Sequence, residues 1–311
     1  MSSATLSDEA RDRPGLAAGL ACYVMWGLLP LLFQAAGRAG ADGLDIVAWR
    51  TVFSLPVAAA LVVWVGQGRA LLALGPRDWA VLALSAALIA VNWLVYVWAV
   101  THGRTLEGAL GYYINPLLNM LAGRLLFGER MDRAGWVAGG LAAAGVAVQT
   151  AALGAFPWVS VALAASFCGY GIVRKRARAP AQAGLAAECA ILLLPAVGAI
   201  AWMAGRPGGE VALLRGPEAA ALLVLCGPAT VAPLACFAIA ARRLPLTTLG
   251  FLQFVGPTLQ FGVGVANGEA LTPLRLASFA LIWAGVAVFV GAALWRGRAE
   301  RRAVSRAAQP A

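Results

Sequence analysis

Ten apolar runs, separated by short gaps of arginine, glycine and proline, organise this chain. They lie at about 15–36, 45–66, 78–100, 105–127 and 134–152, then at about 156–173, 184–204, 218–241, 246–267 and 274–295, each close to the roughly 20 apolar residues that an α-helix needs to cross a bilayer. Helix is the only regular structure such isolated runs can adopt in hydrocarbon, because each then satisfies its own backbone N–H and C=O groups. The pattern predicts an all-α integral membrane protein with ten transmembrane helices. The first run reads as an uncleaved span, since it is long and opens a continuing series of spans.

Composition agrees. Apolar residues make up 61% of the chain and charged residues 12%, whereas soluble domains need about a quarter charged to cover their surface. The net charge of +10 does not point to nucleic acid, because no basic stripe with interleaved aromatics occurs. The basic residues instead mark the gaps between runs. One side collects Arg11, Arg13, Arg69, Arg77, Arg124, Arg130, Arg133, Arg174, Lys175, Arg176, Arg178, Arg242, Arg243 and the five arginines from Arg296 to Arg306, 18 in all. The other side has five: Arg38, Arg104, Arg206, Arg215 and Arg275. By the positive-inside rule both termini are cytoplasmic, as an even number of spans requires.

The chain also repeats itself. Gly128-Glu129 recurs as Gly268-Glu269, and Ala144-Gly145-Val146-Ala147-Val148 recurs as Ala284-Gly285-Val286-Ala287-Val288, both at an offset of 140 residues. Pro116 in the fourth span answers Pro257 in the ninth, and Trp26-Gly27 loosely answers Tyr170-Gly171. These matches predict two five-helix repeats, over 15–152 and 153–296. A cytoplasmic tail of residues 1–14 precedes them, and a basic cytoplasmic tail of residues 297–311 follows. Five is odd, so the second copy enters the membrane from the opposite side, and the halves are inverted as in many secondary transporters. Pro116 and Pro257 each remove a backbone donor mid-span, and both are predicted helix breaks.

Several runs resemble a known family: Tyr23-Val24-Met25-Trp26-Gly27, Asn92-Trp93, Leu106 through Leu117 with its Gly-Tyr-Tyr-Ile-Asn-Pro core, and Leu249 through Thr258. Together they resemble the RarD-type permeases in the EamA branch of the drug/metabolite transporter superfamily. The resemblance covers roughly residues 15–296. It implies ten transmembrane helices, two EamA repeats and a multi-pass protein of the bacterial inner membrane. One position departs from the family pattern: Trp49 precedes Arg50 where a histidine is expected, so a proton role for that histidine has no counterpart here.

Candidate substrate-binding residues are the polar and aromatic side chains placed in or near the middle of the membrane: Trp26, Asn92, Trp93, Tyr112, Tyr113, Asn115, Asn119 and Gln253. Asn115 and Asn119 are four apart, on one helix face, with Tyr112 a further three back. Such a stripe must face protein or water; its bland alternative is hydrogen bonding between helices. Arg50 and Glu188 are the notable intramembrane charges, at nearly corresponding repeat positions, and are candidates for gating or coupling. Their expected depths differ by roughly 12 Å at 1.5 Å per residue, which argues against a direct ion pair. Snorkelling to opposite interfaces is the bland reading for both. Glu107 and Glu129 read as solvated or capping groups near helix ends. The GxxxG spacings Gly135/Gly139 and Gly264/Gly268 allow close helix contact but say little in so glycine-rich a chain.

Five cysteines lie within apolar runs with no CxxC pair, and His102 is the single histidine. These predict no metal site and no cofactor. No Walker A motif occurs, so ATP is not the direct energy source. The sequence therefore predicts a secondary transporter for a small metabolite or drug-like molecule, working by alternating access with export or exchange, and with proton coupling as a further option. A passive channel is the alternative. A membrane-embedded enzyme would need a reactive cluster that one histidine and scattered acids do not supply.

Overall fold

The computed structural model describes residues 3–127, 133–153, 156–207, 209–241, 243 and 252–307. Helices account for nearly all of it: α1 (Ser3–Arg38), α2 (Gly43–Trp64), α3 (Gly68–Leu72), α4 (Pro76–Thr101), α5 (Thr105–Phe127), α6 (Arg133–Leu153), α7 (Trp158–Arg176), α8 (Ala181–Ala204), α9 (Pro217–Ala241), α10 (Val255–Ala266) and α11 (Pro273–Ala307). A short 3-10 turn, Ala212–Leu214, precedes α9. Seven of the described helices are long and apolar enough to cross a membrane, namely those containing Pro14–Arg38, Gly43–Trp64, Pro76–Thr101, Arg133–Ala151, Ala181–Ala204, Pro217–Phe237 and Pro273–Ala292. The apolar stretch of α7 is shorter, at Trp158–Arg174. The chain is an integral membrane protein. Large apolar side chains with no protein cover, such as Leu194 at 81% exposed and Val63 at 76%, need lipid as their solvent.

Helix ends follow local chemistry. Asp42 caps α2, accepting from the Asp45 N–H at 2.8 Å while the Asp45 carboxylate accepts from the Asp42 N–H at 3.2 Å, a reciprocal arrangement that satisfies two orphan donors. Pro76 opens α4, where its missing N–H costs nothing. Gly103, at φ +67°, turns the chain from α4 into α5, a left-handed conformation that glycine adopts without strain. The N-terminus of α5 is capped from far along the chain: the Thr105 and Leu106 N–H groups donate to Glu269 at 2.6 and 3.0 Å. That carboxylate sits where the helix dipole favours negative charge.

The structure departs from the predicted elements in several places. The helices α1 and α11 run into the stretches expected to be tails, starting at Ser3 and continuing to Ala307. The loop after α2 carries the extra helix α3. Helix α5 passes through Pro116 without a break; its helix neighbours hold the backbone on course where the proline removes a donor. A turn at residues 253–254 precedes α10, with Pro257 in its first turn, so an interruption exists only on the Pro257 side. Gly128, Glu129, Arg130 and residues 246–251 of the ninth apolar run lie outside the described residues.

Packing is by helix pairs. Helix α2 lies against α8 and α9, α4 against α7 and α8, α1 against α9 and α10, α5 against α7 and α10, and α6 against α11. Glycine sets several approaches. A Cβ on Gly145 would come within 2.9 Å of the Ser278 carbonyl oxygen, and one on Gly285 within 2.9 Å of the Ala138 carbonyl oxygen. These glycines of the repeated motif therefore hold α6 and α11 in close backbone contact. The GxxxG spacings do less. Gly139 faces open space, Gly264 packs on Leu106, and Gly268 sits in a turn at φ +81°.

Two apolar clusters flank the middle of the bundle. One joins Phe33, Ile46, Tyr96, Val97, Leu163 and Leu223; the other joins Leu61 and Val62 of α2 to Leu185, Ala186 and Cys189 of α8. The five cysteines are free, and Cys22, Cys168, Cys189 and Cys226 are buried as small packing residues.

Candidate functional site

Between those clusters lies a cavity of about 160 Å³. Its wall takes residues from α1 (Tyr23, Trp26, Leu29), α2 (Arg50), α4 (Ile89, Asn92, Trp93, Tyr96) and α5 (Tyr112, Asn115). The opposite wall comes from α7 (Phe167, Tyr170), α8 (Leu185, Glu188), α9 (Thr230, Leu234), Gln253, and α10 (Gly256, Pro257, Gln260). Of the predicted residues, Trp26, Arg50, Asn92, Trp93, Tyr112, Asn115, Glu188, Gln253 and Pro257 meet here. Tyr113 does not. Its ring is buried against Phe279 and Trp283, and its hydroxyl pairs with Thr258 Oγ1 at 2.6 Å, because consecutive helix residues point about 100° apart. The side chains of Asn119 and Pro116 lie outside the described residues.

The polar groups of the wall fall into two kinds. Asn92 is fully engaged: its Nδ2 donates to the Leu163 carbonyl and Ser166 Oγ, both at 3.0 Å, and its Oδ1 accepts from the Tyr112 hydroxyl at 3.0 Å. It ties α4 to α7 and aims the Tyr112 ring. Asn115 is the opposite. It is 1% exposed, and among the described residues neither Nδ2 nor Oδ1 has a hydrogen-bond partner. The Tyr96 hydroxyl and Gln260 Oε1 share that condition. Buried polar atoms are nearly always paired, and leaving one unpaired costs about 1–3 kcal/mol. Several such atoms on one cavity wall mark places where a ligand or water completes the bonding.

Arg50 does not snorkel. It is 4% exposed; its Nε and Nη2 donate to Thr230 Oγ1 at 3.2 and 3.0 Å, and its guanidinium lies 4.2 Å from the Trp93 ring centroid and 5.2 Å from that of Phe33. Among the described residues no carboxylate lies within ion-pair distance of it. Glu188 does not snorkel either. At 2% exposed, it accepts from Ser85 Oγ and from the Tyr170 hydroxyl at 3.3 Å, with Arg174 Nη1 3.6 Å away. Neighbouring helices supply to both charges what an interface would otherwise have to. Glu107 also departs from the solvated reading: 3% exposed, it takes a bidentate contact from Arg104 at 2.7 and 2.9 Å.

Polar contacts link helices at both ends of the bundle. At the end carrying the α4–α5 turn, Gln34 donates to Thr105 Oγ1 at 3.4 Å and accepts from Asn267 Nδ2 at 2.8 Å. At the other end Gln67 donates to Gln182 at 2.7 Å and accepts from the Ala183 N–H at 3.0 Å, beyond the Glu188–Arg174 contact.

The profile of the EamA-like transporter family matches residues 13–151. Full-length relatives match more widely. Protein RarD of Streptomyces exfoliatus is 41% identical, over 96% of this chain and 95% of its own length. The chain belongs to the RarD group of EamA-family transporters. Protein RarD of Escherichia coli K12 is 38% identical over 94% of this chain and 98% of its own. An uncharacterised transporter of Pseudomonas aeruginosa is 44% identical over 90% and 94%. One solved crystal structure shares the fold, with a TM-score of 0.62 at 22% identity over 91% of this chain and 99% of that one. This EamA-family chain is thus a multi-pass membrane transporter and not an enzyme.

Sequence reasoning missed Tyr96, Gln260, Thr230, Ser85 and Arg174. Two were within reach: Tyr96 is one helical turn past Asn92 on the same face, and Gln260 is seven residues past Gln253, the spacing of one face in the predicted ninth span. Thr230 stands 138 residues after Asn92, the same interval that separates Arg50 from Glu188. Nothing in the sequence distinguishes Arg174 from its neighbours Lys175 and Arg176.

Proposed function

We propose that this chain is a secondary transporter of the bacterial inner membrane that moves a small metabolite or drug-like molecule by alternating access, as export or exchange. The observation that carries the reading is the Asn115 amide, unpartnered among the described residues, on the wall of a cavity lined by helices from both halves of the chain. Trp26, Trp93, Tyr112 and Gln253 contribute the rest of the binding surface, and Asn92 holds Tyr112 in place.

The reading of ten spans in two inverted halves draws support from the packing. Exchange α1 with α7, α2 with α8, α4 with α9, α5 with α10 and α6 with α11, and the pairings return. The contact of α1 with α9 answers α7 with α4; α2 with α9 answers α8 with α4; α1 with α10 answers α7 with α5. Arg50 and Glu188 exchange as well, each being the eighth residue of its helix. Halves related this way can swap conformations, so the polar contacts at one end open as their counterparts at the other close. The excess of basic residues on one side orients both termini to the cytoplasm. A transmembrane gradient supplies the energy, with Glu188 as the proton-carrying group and Arg50 as the charge facing the cargo.

The test is uptake by proteoliposomes of a pooled, isotopically labelled metabolite mixture, with and without an imposed pH gradient. Wild-type protein accumulates selected components, and Asn115→Ala abolishes that accumulation. A folded, reconstituted protein that moves nothing under either condition overturns the transporter mechanism; gradient-insensitive flux without counter-transport makes it a channel.

A further inference from the structure

We infer that the cargo is a small organic anion, a monocarboxylate on a flat apolar body, with Arg50 binding its charge. This deepens the reading of the cavity as a transport site and rests on it.

The electrostatics of the wall are unequal. Glu188 has its counter-ion in Arg174 and two hydroxyl donors. Among the described residues Arg50 has only a neutral hydroxyl and two aromatic faces, and the ionisable groups around it are Tyr96, Tyr112, Cys189 and Cys226, none of them acidic enough to be anionic near neutral pH. An arginine buried without an anion is expensive, and cation–π contact with about 0.5–2 kcal/mol offsets only part of that cost. The missing anion has a place to come from, because Arg50 lines the cavity. A guanidinium presents a planar fork that fits a carboxylate. The Tyr96 hydroxyl and the Asn115 Nδ2 offer further donors on the same wall. The remaining lining carries Glu188, held by Arg174, and a few neutral polar groups (Asn92, Gln253, Gln260), and is otherwise apolar and aromatic, with Trp26, Trp93, Tyr112 and Phe167 suited to a flat hydrocarbon group.

Three probes that share one body separate the charge requirement from the apolar one: 3-phenylpropanoate, its uncharged amide and 3-phenylpropylamine. Binding to the purified full chain is followed by tryptophan fluorescence, for which Trp93 beside Arg50 is a built-in reporter. The acid is expected to bind at least tenfold tighter than the amide, and the amine not at all. Arg50→Gln removes the preference for the acid, and Arg50→Lys retains part of it. Equal or tighter binding of the amide or the amine overturns the inference without relying on any variant, as does wild-type protein that melts cooperatively yet binds none of the three. Competition by the acid in the pooled-uptake assay separates the two readings. Uptake that Asn115→Ala abolishes but the acid does not inhibit keeps the transporter and sinks the anion; no uptake of any kind sinks the transporter first.

Discussion

Arg174 reaches Glu188 through space that exists because residue 184 is glycine: Nη1 stands 3.6 Å from Glu188 Oε1, and any Cβ on Gly184 would overlap the guanidinium. Arg174 is 16% exposed and Glu188 3% by side chain, so the pair shields a membrane-embedded carboxylate from one end of the bundle.

Gly184→Ala should therefore act by displacing Arg174. The arginine has a path toward solvent, so the fold tolerates the change, but Glu188 loses its counter-ion. Gly184→Ala and Arg174→Ala are each expected to cost about 1–3 kcal/mol, less than the 3–5 of a fully buried broken pair. The double variant should be no worse than either single one, since both remove the same contact. Thermal melts of the four proteins in one detergent check this.

The two asparagines of the wall predict opposite phenotypes. Asn92→Ala breaks three hydrogen bonds that tie α4 to α5 and α7, and should destabilise the protein by about 1–3 kcal/mol. Asn115→Ala breaks none among the described residues, so its melting temperature should stay close to that of the wild type while uptake is lost. Parallel melts and uptake assays separate them.

Glu188→Gln keeps hydrogen-bonding capacity toward Ser85 and Tyr170 while removing the charge and the exchangeable proton. If Glu188 carries a coupled proton, accumulation driven by a pH gradient disappears in this variant, while exchange of labelled for unlabelled cargo persists. Full gradient-driven accumulation by Glu188→Gln would exclude the residue from coupling.

Gly145→Ala and Gly285→Ala each place a methyl group within 2.9 Å of a carbonyl oxygen on the partner helix. Backbone cannot yield as a flexible side chain does, so α6 and α11 must separate. Each substitution should cost about 1–3 kcal/mol, and the two costs should be similar because the contacts are reciprocal. Melting curves of the single variants test that equality.

The membrane class, the approximate position of most helices and many of the cavity residues were legible in the chain itself. Hydrocarbon thickness imposes a length on apolar runs, and backbone hydrogen bonding in lipid leaves only helix. The close contacts at Gly145 and Gly285 were not legible: both glycines lie in the recurring Ala-Gly-Val-Ala-Val motif, but the GxxxG spacings nominated other glycines. Four-residue spacing and mid-span depth pointed to Asn115, although depth alone also nominated Tyr113, which turns away to Thr258.

What the sequence by itself determined is which segments enter the bilayer and which polar residues they carry there, because transfer from water to lipid acts residue by residue along the chain. Only the tertiary structure decided which of those polar groups are satisfied. Asn92 and Asn115 are the same residue type at similar depth, yet one is fully bonded and the other bare. Arg50 and Glu188 are both buried charges on one cavity, yet only Glu188 has an ionic partner, and that partner looked like an ordinary cytoplasmic arginine. Hydrogen bonds and ion pairs act over about 3 Å between helices that lie far apart in sequence, so their completion is a property of packing.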